Sequence, residues 1–297
     1  MALWFAATHA AAIAFAVAAV AIFAVVRPFF RAVAAFAVLF AIVLVWWSTL
    51  TPRNDRNWQR DVARTPSAEL NGDILTIHDV RDFRYRSETD YDENWETRTY
   101  DLSKLERLDF FMSYWGSPNI AHTIMSWAFS DGQHLAISIE TRKEVGEEYS
   151  SLAGFFRQYE LYYVVADERD VIGLRTNYRG EQVHLYPLRT PVERARKILL
   201  DYVKSFDGLS REPAFYNALT QNCTTTIRMH VQQIGVAMPW DWRLLVNGYL
   251  NQMLYERKVI ATNLSLPELE QRSLINAQAQ GADRSPDFSA RIREKLG

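Results

Sequence analysis

Two uncharged stretches at the N-terminus constrain this chain more than any other feature. Ala2 to Val26 carries no charge, nor does Ala32 to Leu50, and only Arg27-Pro28-Phe29-Phe30-Arg31 separates them. As a helix, each is long enough to cross the roughly 30 Å of a bilayer's hydrocarbon. Pro28 suits a sharp turn, and Trp46 and Trp47 suit an interfacial belt. Residues 1–50 are therefore expected to form a transmembrane helical hairpin. A cleaved signal peptide would explain the first run alone, but that run lacks a positively charged start and the second follows at once. Charge divides on orientation. Arg27 and Arg31 put the tight loop inside and the bulk of the chain outside, whereas Arg53, Arg56, Arg60 and Arg64 favour the reverse.

The remainder is long enough for a substantial core. Across the 297 residues the formal net charge is -2, with acids and bases interspersed, and no basic stripe suggests a nucleic-acid partner. The single cysteine excludes an intrachain disulfide without fixing the redox compartment. Residues 51–70, with Pro52 and Pro66, read as a polar linker. Strand-like alternation begins near Ile74 and recurs in "YELYYVVADERDVIGLRT" and "EQVHLYPL". The clearest hairpin is "AHTIMSWAFSDGQHLAISIETR", turning at Ser130-Asp131-Gly132-Gln133. Pro191 opens an amphipathic helix, and helices continue to about residue 260. The expected fold is α+β, an antiparallel sheet from 72 to 190 followed by helices. Residues 266–297 read as a polar C-terminal tail.

Within "TQNCTTTIRMH", Asn222 suits an N-cap, and Ile227, Val231 and Ile234 continue at helical spacing to Gly235. Cys223 then lies in a first helical turn. The dipole there favours a thiolate, and the N–H groups around Asn222 and Thr224 suit an oxyanion. The other reading is a small buried hydrophobe. A thiolate needs a base. His9 lies in the first apolar run. His230 is two helical turns from Cys223, about 10 Å away. Nothing local recruits His78 or His184, and His134 sits beside the hairpin turn. Pairing the hairpin about Asp131 places His122 across from Glu140, a carboxylate able to orient an imidazole. A slip by one residue would put Glu140 on the other face, and pairing with Arg142 or another arginine is the alternative role for it. Arg142 and Arg169 are candidate contacts for a phosphate or carboxylate. "DERD", Asp167 to Asp170, reads as salt bridges on a turn. One Cys and scattered His lack zinc-ligand spacing, so neither metal nor cofactor is expected.

The blocks "NGDILTIHDVRDFRYRS", "RTYDLSKLERLDFFMSYW", "AHTIMSWAFSDGQHLAISIETRKE", "FRQYELYYVVADERDVIGLRT" and "FYNALTQNCTTTIR" resemble successive parts of the Lnb-type N-terminal periplasmic domain family. That family is similar to permuted papain-like thiol folds of the NlpC and lecithin:retinol acyltransferase kind. The resemblance implies a papain-like thiol domain over 71–265, a nucleophile at Cys223 and a base at His122, with Glu140 carried over by strand position. It also implies a periplasmic domain, which tips the orientation outward and places the bulk of the chain on the periplasmic side of the inner membrane that the two apolar helices are expected to cross. The member that names the family moves an acyl chain on lipoproteins. The expected function is a membrane-anchored cysteine-dependent acyltransferase or hydrolase acting on lipid-linked or lipoprotein acyl groups. The alternatives are a cell-wall peptide amidase or peptidase of NlpC type, and a non-enzymatic anchored module in which Cys223 is structural.

Overall fold

In a computed structural model, which describes residues 1–296, the alternating segments become ten strands. They are β1 (Ser67–Asn71), β2 (Ile74–Arg81), β3 (Arg84–Tyr85), β4 (Tyr91–Asp92), β5 (Trp95–Asp101), β6 (Leu105–Tyr114), β7 (Ala121–Phe129), β8 (His134–Arg142), β9 (Glu160–Ala166) and β10 (Gln182–Pro187). Eight form one sheet in the order β1-β2-β9-β8-β7-β6-β10, with β5 also paired to β2; β3 and β4 make a separate two-stranded ribbon. The fold is α+β, but the sheet is mixed rather than antiparallel throughout. β2 and β9 run parallel at Arg81 and Ala166. They are far apart in sequence, so no hairpin turn fixes their relative direction.

The helices are α1 (Ala2–Ala6), α2 (His9–Val25), α3 (Phe29–Ser48), α4 (Glu168–Gly173), α5 (Val192–Arg211), α6 (Cys223–Gln233), α7 (Leu250–Glu256), α8 (Leu266–Ser273), α9 (Asn276–Gly281) and α10 (Phe288–Arg291). On one face of the sheet, Met125, Trp127, Ile137 and Ile139 pack with Ile198, Tyr202 and Phe206 of α5 and Ile227 of α6. On the other, Phe111, Ile124, Ala136 and Val164 pack with Val171 and Ile172 of α4 and with Ala279 and Phe288 near the C-terminus. Both faces of the central strands are thus covered, which is why they read as nearly continuous apolar runs.

Two segments differ from expectation. The stretch expected to be a linker packs onto the domain through Trp58 and Val62, both buried. The expected polar tail is helical over most of 266–296 and buries Ile275, Ala279, Ala282, Phe288 and Ile292. In both cases a few apolar anchors spaced among polar residues carry the packing, and average polarity conceals them. At the N-terminus, α2 and α3 lie side by side through ring contacts of Phe23 and Phe36. Among the described residues one helix, Phe29–Ser48, is long and apolar enough to cross a membrane; His9–Val25 is apolar but shorter.

Candidate active site

The β7–β8 ladder runs from Ala128↔His134 to Ile124↔Ser138, the register expected from a turn about Asp131. Two residues further on, His122 and Glu140 face each other. The ladder has ended by then. β7 stays with β6 as far as Ala121↔Tyr114, and β8 stays with β9 as far as Arg142↔Glu160. The sheet therefore splits between its two central strands, and the His122 ring spans the split. Its Nε2 lies 2.6 Å from Ser138 Oγ and 3.1 Å from Glu140 Oε1. Ser138 gives its single hydroxyl proton to Glu140 Oε1 at 2.7 Å, so it accepts from Nε2–H. That fixes the neutral tautomer, with the proton on Nε2 and a lone pair on Nδ1.

Cys223 is the first residue of α6. Asn222 caps the helix: its Oδ1 accepts from Thr225 N–H at 2.8 Å, and its own N–H donates to Thr225 Oγ1 at 3.0 Å. This reciprocal cap satisfies two backbone donors. It also takes the Asn222 N–H away from any oxyanion, contrary to the role expected from sequence. Thr226 N–H goes to the Asn222 carbonyl. The N–H groups of Cys223 and Thr224 have no acceptor among the described residues, and they point from the positive end of the helix.

Burial pushes the Cys223 thiol up, but the charge of the His122 imidazole brings it down to about 7. Burial pushes the His122 imidazole down, while the charges of Glu140 and Cys223 lift it to about 9. Glu140, raised by burial, is held well below the usual carboxylate range by His122 and Arg175. Between pH about 7 and about 9 a thiolate and an imidazolium coexist.

Three participants escaped sequence reasoning. Ser138 shares the alternate-residue face of β8 with Glu140, a signal present in the sequence. Arg175 comes from a five-residue π-helical turn after α4. Its Nη2 donates to Glu140 Oε1 at 2.6 Å and its Nη1 to the Val171 carbonyl at 2.8 Å. Asn247 lies between α6 and α7 and is buried; its Nδ2 is 2.7 Å from Thr224 Oγ1 and 4.0 Å from Cys223 Sγ. No local pattern marks Arg175 or Asn247. Both reach the site by tertiary folding.

Cys223 and His122 line a cleft of about 540 Å3, walled by Trp115, Ile120, Tyr149, Phe155, Tyr216 and Leu245. Arg142 and Arg169 do not serve this cleft as expected. The Arg142 guanidinium is spent on the carbonyls of Val62 and Ala63 and on Asn54 Oδ1, and lies 4.4 Å from the centre of the Trp58 ring. Arg169 binds both oxygens of Asp82 at 2.8 Å, beside a different cavity. His230 is buried between Tyr163 and Asp201, and His134 stays at the hairpin turn. Of "DERD", Asp167 caps α4 and pairs with Arg98, Glu168 meets Arg293, and Asp170 meets Arg81. Among the described residues no group of three or more His, Cys, Asp and Glu side chains is arranged to hold a metal ion.

No curated protein and no solved structure matches the chain. The model of the Lnb N-terminal periplasmic domain family does match, over residues 91–248. That span takes in His122, Ser138, Glu140, Arg175, Cys223 and Asn247 and amounts to more than half of the chain, which belongs to the Lnb N-terminal periplasmic domain family.

Proposed function

We propose that this protein is a membrane-anchored, periplasm-facing thiol acyltransferase or hydrolase that acts on lipid-linked or lipoprotein acyl groups. The observation that carries the reading is that Cys223, at a helix start, shares the wall of an aromatic-lined cleft with His122 and its carboxylate partner Glu140. Order along the chain, with the histidine strand ahead of the cysteine helix, supports the permuted papain-like interpretation. The apolar α2–α3 pair supports two crossings of a bacterial inner membrane.

In this mechanism the Cys223 thiolate attacks the acyl carbonyl carbon, and the C=O π electrons move onto oxygen. The Cys223 and Thr224 N–H groups receive that oxyanion. Collapse breaks the bond to the alkoxide or amine, which leaves with a proton from the His122 imidazolium, and a thioester remains on Cys223. An acceptor amine or water then gives its proton to His122 as it attacks the thioester, and the thiolate is released. Glu140 holds the imidazole and offsets its positive charge through the cycle.

The test is mass spectrometry of the Cys223 peptide after incubation with phospholipid, diacylated lipopeptide or peptidoglycan fragments. An acyl mass on Cys223 with the lipid substrates, absent from Cys223→Ala, is the expected result. Cleavage of peptidoglycan fragments alone would favour the cell-wall amidase reading. No reaction with any substrate would leave Cys223 structural.

A further inference from the structure

The C-terminal end of α3 is gripped by the domain that follows it. Arg157 Nη1 donates to the Trp47 carbonyl at 2.9 Å and lies 3.3 Å from the Leu50 carbonyl, while the guanidinium sits 4.4 Å from the centre of the Trp47 ring. Carbonyls at a helix end lack intrahelical partners and carry the negative end of the dipole, so a guanidinium there answers both needs. Arg157 adopts φ 56°, a left-handed conformation that costs a non-glycine residue roughly 1–2 kcal/mol. The surroundings hold it there.

Next to it, Phe156 stacks on Phe5 of α1, with ring centres 5.8 Å apart. Phe5 also packs onto Ala153, Tyr159 and Tyr216. Both ends of the apolar hairpin therefore touch one loop, residues 145–157. That loop leaves large apolar side chains in the open: Val145 is 60% exposed, Tyr149 48%, Leu152 47% and Phe155 43%. Tyr149 and Phe155 also line the Cys223 cleft. The rim is thus continuous with a helix of membrane-crossing length at one edge and with the candidate site at the other. Glu147 and Glu148 within it suit the head-group layer rather than the hydrocarbon.

We infer that the 145–157 loop is a membrane-contact rim, seated in the head-group layer of the bilayer that α3 crosses, and that the mouth of the Cys223 cleft opens on lipid. The occupant of this apolar surface is the lipid surface itself. This rests on the membrane-anchored reading and is independent of the thiol chemistry. If both hold, an acyl chain passes from the leaflet to Cys223 without crossing bulk water.

The test uses full-length Cys223→Ser protein carrying a second substitution, Leu152→Cys or Ser130→Cys, labelled with a nitrobenzoxadiazole fluorophore. Ser130 lies at the hairpin turn, the opposite end of β8 from Arg142, roughly 30 Å away at ~3.4 Å per residue. Each protein is reconstituted into liposomes with or without head-group spin-labelled phosphatidylcholine, and flotation verifies anchoring. Loss of most emission at position 152, with little loss at 130, is expected. Protein that floats with the liposomes but shows weak quenching at both positions overturns the rim and leaves the anchor standing. Protein that fails to float removes the anchor and the rim together. Acylation of Cys223 is read in a separate assay, so a failure of the chemistry is distinguishable from either result.

Discussion

Asn247 grips the backbone of Ala121 with both ends of its amide, accepting from the Ala121 N–H at 2.9 Å and donating to the Ala121 carbonyl at 2.7 Å. The same Nδ2 also reaches Thr224 Oγ1 at 2.7 Å. Ala121 precedes His122, and Thr224 follows Cys223. One buried side chain therefore ties the strand that carries the base to the helix that carries the thiol. Asn247→Ala should leave two buried backbone groups unpaired, at a cost of ~1–3 kcal/mol each. Thermal unfolding in detergent should show the loss, and alkylation of Cys223 near neutral pH should slow. A variant with wild-type reactivity would show that the tie does not set the site.

Cys223 should alkylate with a midpoint near pH 7, against the higher midpoint of the denatured protein. Below that pH the thiol is protonated, and above about 9 the imidazolium loses its proton. A group transfer that needs both charged partners should therefore be fastest between the two values. His122→Ala removes the charge that lowers the thiol while burial, which raises it, remains. Its midpoint should rise past the ordinary thiol value, whereas His134→Ala should leave the profile unchanged. Iodoacetamide rates against pH check all three proteins.

Arg175 is assigned as a positioning residue. Thiolate, imidazolium, carboxylate and guanidinium alternate in sign, and removing one buried cation makes the set take up a proton more readily. The thiolate, with its midpoint near 7, is the group closest to accepting one. Arg175→Met should move the alkylation midpoint upward, and Arg175→Lys should restore much of the wild-type profile. An unchanged midpoint in folded Arg175→Met would reduce the Glu140 contact to a structural ion pair.

Gly248 allows the Asn247 segment to lie against the loop before β7. A Cβ there would fall 2.0 Å from the Pro118 carbonyl oxygen and 2.5 Å from the Asn119 carbonyl carbon. Gly248→Ala should force that loop aside, at ~1–3 kcal/mol of overpacking. Gly281→Ala meets nothing within 4 Å and serves as the control. Melting temperatures of the two variants should separate, with only the first depressed.

The N-terminus and the main domain should share one side of the membrane. Arg27 and Arg31 favour an inside loop, and Phe5 reaches Phe156 of the domain. A cysteine introduced at Asn71 in Cys223→Ser protein should react with an impermeant maleimide once the outer membrane is permeabilised. Labelling only after inner-membrane lysis would reverse the topology.

The sequence alone determined what local chemistry controls. Uncharged runs separated by a proline loop specified apolar helices. The Ser130–Gln133 turn set the hairpin register, since side chains alternate faces and a one-residue slip would bury the wrong set. Asn222 and the stripe behind it fixed a helix start at Cys223. The resemblance of "NCTTTIR" and the blocks before it named the family. Local patterns did not contain the rest. The parallel β2–β9 pair depends on a long connection that no turn constrains. The packing of 266–296 depends on the sheet face it covers, which no property of that segment reveals. Arg175 and Asn247 arrive from residues remote from both hairpin and cysteine helix. Their partners, a buried carboxylate and two backbone groups at a split in the sheet, exist only once the chain has folded.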